Sequence, residues 1–308
     1  MSFQSQMIYF MMKNRHLLQG RLKPEAWDEN TSIAAFRELA EAGNRRMENK
    51  LPAGLKVEPF TISGMKAEWL IPEGADPSKL ILYTIGGGYI SGTCNDHRTL
   101  VAKVAMTSGV AVLMFDHRLA PEHPYPAALE DSLTAYRWVL VQGYSPKNIL
   151  IMGESAGGGL CLATLLAIRD QGLPLPAAGV ALSPWTDLKL TGDSYRTRTK
   201  VCISPPGMNV VCSKYYVGDH DPTEPWISPL YGDLHGLPPL YIDVGEYETM
   251  LDDSTRFAAK AQAAGVETTL VIGKKMIHCY PLMAGMFPEA TQALENVCGF
   301  IKRKLKTT

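Results

Sequence analysis

A serine at position 155 lies at the centre of a run of small residues, Gly153-Glu154-Ser155-Ala156-Gly157. Residues 148–152 before it favour a β-strand, and a long helical pattern follows without a break. Small residues two before and two after the serine allow a strained turn that lifts its hydroxyl above a sheet, at the positive end of a helix. The pattern therefore predicts a nucleophilic serine. The alternative, a phosphate-binding or packing turn, is less favoured because no P-loop lysine follows the glycines.

A serine hydroxyl is a poor nucleophile unless a base removes its proton and a third group orients that base. In a strand–nucleophile–helix fold the base lies beyond the last strand, in the chain order serine, acid, histidine. His278 qualifies, since it follows the last predicted strand and precedes the final helical pattern. His117 and His123 lie in a proline-rich turn, where a structural role is favoured, and His235 precedes the penultimate strand. The remaining histidines are His16, His97 and His220.

The acid is expected just beyond the predicted strand PLYIDVG, where the candidates are Asp243, Glu246, Glu248, Asp252 and Asp253. Asp243 lies inside the strand. The two later aspartates open the next helix, where a carboxylate fits the helix dipole without a catalytic reason. Glu246 and Glu248 occupy the loop itself, and geometry alone does not separate them.

Three consecutive glycines, 86–88, follow the strand-forming run LILYTI. Glycine occurs where the backbone bends sharply or comes close to another group. The residues alone leave both interpretations open.

The elements that would position these residues alternate between strands and helices. Six short runs are continuously apolar: LILYTI, GVAVLMFD, NILIMG, AGVALSP, PLYIDVG and TTLVIG. Continuous hydrophobicity indicates strands buried on both faces, and strand–helix alternation indicates a parallel sheet. Two earlier extended segments, LKVEPFTIS and MKAEWLIPE, suggest a hairpin, so the predicted fold class is α/β with about eight strands.

Two segments do not fit this alternation. Residues 25–50 carry apolar side chains at helical spacing. Residues 186–228 lie between two strands and are longer than a single crossover needs, so they form an inserted cap or an irregular loop. Together, the two segments could cover one edge of the sheet.

Composition limits the class of function. The 308 residues are 46% hydrophobic with a formal net charge of −1, which is ordinary for a soluble globular protein and gives no reason to expect nucleic acid as a partner. The six cysteines show neither a CxxC pair nor metal-ligand spacing. They are interpreted as free thiols of a cytoplasmic protein, with a disulfide-bonded secreted protein as the alternative. The N-terminus does not resemble a signal peptide, and no apolar run could span a bilayer.

Several motifs follow one another from about residue 80 to 285: GGGYISG, DHRLAPEHPYPAALED, GESAGGGL, SPWTDL, GEYETMLDDS and MIHCYP. In these motifs the chain resembles the hormone-sensitive-lipase-like esterases of the α/β-hydrolase superfamily. The resemblance implies an α/β-hydrolase fold, in which helices flank an eight-stranded, mostly parallel sheet. It also implies cap helices in residues 1–50 and a catalytic domain over residues 51–308, with a cap insertion at about 188–226.

By the same resemblance, Glu248 stands where the family has its catalytic acid, usually an aspartate, and the trailing MLDDS fixes that register. Ser155 is then the nucleophile, His278 the general base and acid, and Glu248 the carboxylate that orients the imidazole.

The three glycines resemble the family's oxyanion loop, whose usual form is His-Gly-Gly-Gly. The resemblance implies that the backbone N–H groups of Gly87, Gly88 and Ala156 stabilise the oxyanion, each contributing on the order of 3 kcal/mol. Ile85 stands in place of the family's histidine, which holds the loop through hydrogen bonds. We expect a functioning but less rigid oxyanion loop. The rival interpretation is that Ile85 marks a loss of activity.

The expected function is hydrolysis of short- to medium-chain carboxylic esters through an acyl-enzyme, without a metal or an organic cofactor. The alternatives are a lactone or amide hydrolase with the same triad and, from a different class, a ligand-binding protein on a degenerate hydrolase fold. Substrate contacts are expected from Tyr89, Met11, Met208 and Tyr215, although these residues could equally serve to pack the cap. The expected partner is a small-molecule ester, and a homodimer is left open.

Overall fold

The structure is a computed structural model that describes residues 1–18, 22, 26–45 and 51–307. Its N-terminal segment forms three helices, α1 (Phe3–Lys13), α2 (Arg15–Leu18) and α3 (Ile33–Arg45). Parts of the predicted 1–50 cap, namely residues 19–21, 23–25 and 46–50, lie outside the described residues, as does residue 308.

The rest of the chain supplies the strands and helices that the sequence predicts. The strands are β1 (Leu55–Ile62), β2 (Met65–Pro72), β3 (Leu80–Thr84), β4 (Ala111–Phe115), β5 (Ile149–Glu154), β6 (Ala178–Leu182), β7 (Leu240–Gly245) and β8 (Thr268–Gly273). The helices are α4 (Cys94–Ser108), α5 (Ala127–Val141), α6 (Ala156–Asp170), α7 (Ser194–Thr197), α8 (Met208–Val217), α9 (Leu251–Ala263) and α10 (Pro288–Leu305).

The strands form one eight-stranded sheet in the order β1-β2-β4-β3-β5-β6-β7-β8. The predicted hairpin of β1 and β2 is present, and β2 is also antiparallel to β4. From β4 to β8, neighbouring strands are parallel. Because parallel strands end at the same edge, the loops that follow β3, β5, β6, β7 and β8 meet there.

Both faces of the sheet are covered. Every residue of β3, β4, β5, β6 and β7 is buried. One hydrophobic cluster joins the sheet to α5, α6 and α9, and a second joins its other face to α4 and α10. Strands enclosed on both sides need apolar residues at every position, which explains their continuous hydrophobic runs.

The N-terminal helices and the segment 188–226 pack near the loops at the carboxyl edge. The side chain of Ile8 in α1 belongs to a cluster with Ile277 and Phe287. Arg37 in α3 donates hydrogen bonds to the backbone carbonyls of Ile90 and Ala120, at 2.6 and 2.8 Å. Helices α7 and α8 lie within the predicted cap insertion. Among the helices of the described ranges, none is both long and apolar enough to cross a bilayer.

Candidate active site

Ser155 joins the end of β5 to the start of α6. Its backbone has φ 56° and ψ −123°, a conformation that costs a non-glycine residue about 1–3 kcal/mol. A Cβ on Gly153 would collide with the carbonyl of Gly157, and a Cβ on Gly157 would collide with the carbonyl of Thr84. The turn therefore requires both glycines, and it holds Ser155 at the N-terminal end of α6.

His278 and Glu248 form a close pair on the loops that follow β8 and β7. Nδ1 of His278 lies 2.6 Å from Oε2 of Glu248. The Glu248 side chain is fully buried, and the His278 side chain is 18% exposed. A carboxylate bonded to Nδ1 fixes the tautomer and orientation of the ring and leaves Nε2 free to act as a base.

A second hydroxyl, that of Ser183, holds this pair in place. Its Oγ donates to Oε1 of Glu248 at 2.8 Å and accepts from the backbone N–H of Cys279 at 3.0 Å. The N–H of Gly245 also donates to Oε1 of Glu248. Both carboxylate oxygens are therefore bonded, and one side chain ties the acid to the residue after His278.

The other candidate acids have different partners. Glu246 accepts a hydrogen bond from the N–H of Lys275 at 2.8 Å. Asp243 is enclosed in β7, where burial raises the pKa of its carboxyl to about 8. The two aspartates that open α9 accept hydrogen bonds from backbone N–H groups within residues 186–194. Of these five acids, Glu248 is the one that contacts His278.

The surroundings of His278 alter its basicity. Burial lowers the pKa of the imidazole, but the Glu248 carboxylate bonded to Nδ1 outweighs burial, so that the pKa lies above 6.5. Burial also raises the pKa of the Cys279 thiol, which favours its neutral form. The ring thus has the basicity needed to accept a proton from a serine hydroxyl.

The glycine loop, residues 85–92, runs from the end of β3 towards α4. Gly87 and Gly88 have φ of 119° and 67°, which favour glycine. A Cβ on Gly87 would collide with the carbonyl of Ser91, and one on Gly88 would lie 2.9 Å from Sγ of Cys212. Both positions therefore require glycine, because the backbone conformation and the neighbouring Ser91 and Cys212 leave no room for a side chain.

Ile85, the residue that replaces the expected histidine, is 1% exposed and packs in the hydrophobic cluster of α4 and α10. Its carbonyl oxygen lies 3.3 Å from Nε2 of His117, whose Nδ1 lies 3.0 Å from the carbonyl of Arg118. The N–H of Gly86 donates to Oε1 of Glu154 at 2.7 Å. The loop thus has anchors that do not involve the side chain of residue 85, while its reduced rigidity stays a prediction.

A cavity of about 270 Å³ brings the predicted residues together. Ser155, His278, Gly87 and Gly88 all line it. Its apolar wall consists of Leu100, Trp185, Met208, Met250, Leu282 and Met283. His97, Glu154, Ser204 and Asn209 supply further polar groups, and Cys212 and Cys279 complete the lining. Ala156 follows Ser155 directly as the first residue of α6.

Three of the four predicted substrate contacts lie elsewhere. Among the described residues, the lining includes Met208 but not Tyr89, Met11 or Tyr215. Tyr89 is 2% exposed and stacks on Tyr216, with ring centroids 3.6 Å apart. Met11 is 52% exposed on α1, and Tyr215 packs against the core from α8. Substrate contact by these three residues stays a prediction, because apolar cap residues can face solvent or the core as well as the cavity.

Sequence reasoning missed three side chains of the site: Ser183, Glu154 and His97. Ser183 falls in the motif SPWTDL and Glu154 directly precedes the nucleophile, but a motif does not reveal which distant atoms its side chains contact.

Within the described ranges, no group of three or more His, Cys, Asp or Glu side chains is placed to hold a metal ion.

The chain is similar in sequence to a known family and to characterised proteins. Residues 81–282 match a family model described as alpha/beta hydrolase fold. An acetyl-hydrolase of Streptomyces hygroscopicus is 35% identical over 291 residues, which cover 94% of this chain and 92% of that protein. An esterase of Acinetobacter venetianus is 36% identical, over 80% of this chain and 82% of its own.

Solved structures are similar over the whole chain. The crystal structure of EstE5 soaked with p-nitrophenyl butyrate has a TM-score of 0.90 and 38% sequence identity, and the match covers 100% of both chains. An esterase from the bacterial hormone-sensitive lipase family also has a TM-score of 0.90 and 38% identity, over 99% of both chains.

Proposed function

Because the chain belongs to the hormone-sensitive-lipase-like esterases of the α/β-hydrolase fold and is a carboxylic ester hydrolase, we propose that it works through an acyl-enzyme on Ser155. The observation that carries this proposal is the 2.6 Å contact between His278 and Glu248, next to a cavity that Ser155 also lines. An oriented imidazole in the same cavity as a serine in a strained turn suits nucleophilic acyl transfer.

In the first half of the reaction, the Ser155 hydroxyl attacks the ester carbonyl while Nε2 of His278 takes its proton. Glu248 stays ionised and stabilises the imidazolium that forms. The imidazolium then gives its proton to the leaving alcohol, and the acyl group stays bonded to Ser155. In the second half, water attacks the acyl-enzyme, and His278 again accepts and returns a proton.

The oxyanion would be stabilised by the backbone N–H groups of Gly87, Gly88 and Ala156. Gly87 and Gly88 line the cavity, and the N–H of residue 156 lies at the positive end of α6. Donors of this kind act most strongly on the charge that develops in the transition state, so they raise kcat more than they lower KM.

We propose short and medium acyl chains as substrates. The cavity of about 270 Å³ is just below the range of roughly 300–1,000 Å³ that accommodates drug-sized ligands. Its wall of leucine, methionine and tryptophan side chains suits an apolar acyl or alcohol group. Met208 is the predicted substrate contact that we retain.

The proposal is tested by the hydrolysis of p-nitrophenyl esters with acyl chains from acetate to palmitate. Wild type should prefer the short and medium chains, and Ser155→Ala should lose activity at every length. A matched control is Ser145→Ala, since Ser145 is exposed and its side chain does not cap the turn that follows it. An inactive wild type, or an active Ser155→Ala variant, would overturn the proposal. If a lactone or an anilide is hydrolysed faster than the esters, the substrate class is a lactone or an amide instead of an ester.

We also propose a cytoplasmic location and a homodimer. The six cysteines are free thiols, five of them buried, as is usual for a protein that folds in a reducing compartment. Sedimentation equilibrium of the purified chain would decide whether it dimerises. A single species at the monomer mass would rule out the homodimer.

A further inference from the structure

A second histidine–carboxylate pair lines the same cavity as Ser155. Nε2 of His97, in α4, lies 3.0 Å from Oε1 of Glu154, the residue before the nucleophile. The two side chains are 15% and 5% exposed, and both contribute to the cavity wall. Neither residue takes part in the proton transfers of the proposed reaction.

The Glu154 carboxylate also contacts the glycine loop. Its Oε1 accepts the N–H of Gly86 at 2.7 Å. A Cβ at residue 86 would lie 2.6 Å from the backbone oxygen of Glu154 and 2.7 Å from Oε1, so the loop and this carboxylate are in close contact. The side chain of Ile85 offers no hydrogen bond, so Glu154 is a side-chain anchor at the start of the glycines.

The charge of Glu154 needs a partner. A buried carboxylate is costly unless it is paired and hydrogen-bonded. A bare negative charge one residue from Ser155 would also repel the oxyanion that the loop stabilises. His97 meets both needs, because a protonated ring donates to Oε1 and offsets the charge.

We propose that His97 and Glu154 are positioning residues for the glycine loop. His97 fixes the carboxylate, the carboxylate fixes Gly86, and the N–H groups of Gly87 and Gly88 are thereby aimed at the oxyanion. The inference rests on the proposed ester hydrolysis, since it assigns a task to residues of the same site. Loss of the donor at residue 97 should lower kcat more than it raises KM, because aligned N–H groups matter most in the transition state.

The same pair should add an alkaline limb to the pH profile. Burial lowers the pKa of His97, but the carboxylates of Glu154 and Asp96 outweigh burial and raise the pKa above 6.5. Deprotonation of His97 removes its positive charge and leaves the negative charge of Glu154 without a counter-charge. We therefore expect kcat to fall as the pH rises through the His97 pKa.

The titratable groups around the pair are Glu154 of β5, Asp96 of α4, Tyr83 of β3, and His278 and Cys279 of the cavity wall. Burial and Glu154 raise the pKa of Tyr83 well above 10, so this phenol stays neutral.

The experiment compares His97→Leu with His97→Gln, using p-nitrophenyl butyrate hydrolysis and hydrogen exchange of the peptide 80–92. We expect His97→Leu to lower kcat by about 10- to 100-fold with KM nearly unchanged, and to speed exchange in that peptide. His97→Gln keeps an N–H donor but cannot be charged. It should retain kcat within about fivefold, from the modest strength of a neutral donor, and lose the alkaline limb.

His235→Gln is the matched control, since His235 is 73% exposed and pairs with Asp233 outside the cavity lining. A His97→Leu variant with wild-type kcat and wild-type hydrogen exchange would overturn the inference. A His97→Gln variant whose kcat is as low as that of His97→Leu would also overturn it. If the leucine variant does not fold, a glutamine variant that keeps the alkaline limb would overturn it. Wild type without esterase activity would refute the proposed function instead, and the exchange data would then decide the positioning role by themselves.

Discussion

The site contains two histidine–carboxylate pairs that differ in which ring nitrogen is bonded. His278 meets Glu248 through Nδ1 at 2.6 Å, whereas His97 meets Glu154 through Nε2 at 3.0 Å. The bond at Nδ1 leaves Nε2, the more distal nitrogen, free to act on a substrate or a nucleophile. The bond at Nε2 directs the distal nitrogen of His97 at its own carboxylate. The first arrangement suits proton transfer, and the second suits holding a loop.

The carboxylates differ in the same way. Glu248 accepts from Ser183, just after β6, and from the N–H of Gly245 at the end of β7, so its contacts fix it beside His278. Glu154 accepts from the N–H of Gly86, which belongs to a distant part of the chain. The two pairs therefore differ in task because the further contacts of Glu248 hold the residue that orients His278, whereas the further contact of Glu154 holds the glycine loop.

The largest effect should separate the two acids. Glu248→Gln should lower kcat by about 10³- to 10⁴-fold, because an amide stabilises the wrong tautomer and cannot balance the imidazolium. Glu154→Gln should lower kcat only about tenfold, since the amide oxygen still accepts the N–H of Gly86. Steady-state kinetics on p-nitrophenyl butyrate measure both. Equal losses in the two variants would contradict the division of tasks.

A smaller loss should follow from Gly86→Ala. The added Cβ would press on Glu154 at 2.6–2.7 Å and displace the carboxylate from the loop. We expect kcat to fall about 100-fold, as when an oxyanion donor is removed. Gly299→Ala in α10 is the control, because its Cβ would lie 3.5 Å from Nη1 of Arg303, an ordinary contact distance. Comparable kinetics of the two variants would argue against a close fit between Glu154 and the loop.

The acid limb of the pH profile should belong to the first pair. Since His278 must be neutral to accept a proton and its pKa is raised above 6.5, kcat/KM should rise with pH through that higher pKa, about tenfold per pH unit below it. The stability that the charged pair adds is fully present below 6.5 and is lost as the pH rises through the raised pKa. Activity and this part of the unfolding free energy should therefore change in opposite directions. Stopped assays and urea denaturation over the same pH range check this, and an acid limb below 6.5 would contradict it.

The smallest effect concerns Ile85→His. An added imidazole near the glycines should raise kcat on a simple ester by about two- to threefold, the modest gain of one neutral hydrogen bond, since His117 and Glu154 already contact the loop. The position is 1% exposed, so a polar ring without a partner would cost about 1–3 kcal/mol of unfolding free energy. The kinetics and the thermal midpoint are measured together. An unchanged kcat would contradict the prediction that Ile85 leaves the glycine loop less rigid.

Much of the fold could be predicted because its signals are local. Six apolar runs with turns between them mark β3 to β8, and the glycines around Ser155 mark the turn between β5 and α6. The resemblance to hormone-sensitive-lipase-like esterases and the ester hydrolase class are confirmed by the similar proteins. Short-range patterns are reliable here because backbone conformation and burial are decided within a few residues.

Contacts between distant segments could not be predicted in this way. Glu246 and Glu248 lie two residues apart in one loop, and the path of the backbone decides which reaches His278. The pairing of His97 with Glu154 joins residues 57 positions apart, and neither residue type signals a partner. Met11 and Tyr89 are apolar cap and loop residues whose final direction depends on tertiary packing.

The central claim is that Ser155 carries the acyl group. Incubation with a serine-directed organophosphate such as diethyl p-nitrophenyl phosphate, followed by peptide mass spectrometry, tests it directly. We predict one phosphorylated residue, Ser155, with activity lost in proportion to labelling and no label in Ser155→Ala. Labelling of another residue with equal loss of activity, or full activity in a protein labelled at Ser155, would contradict the account.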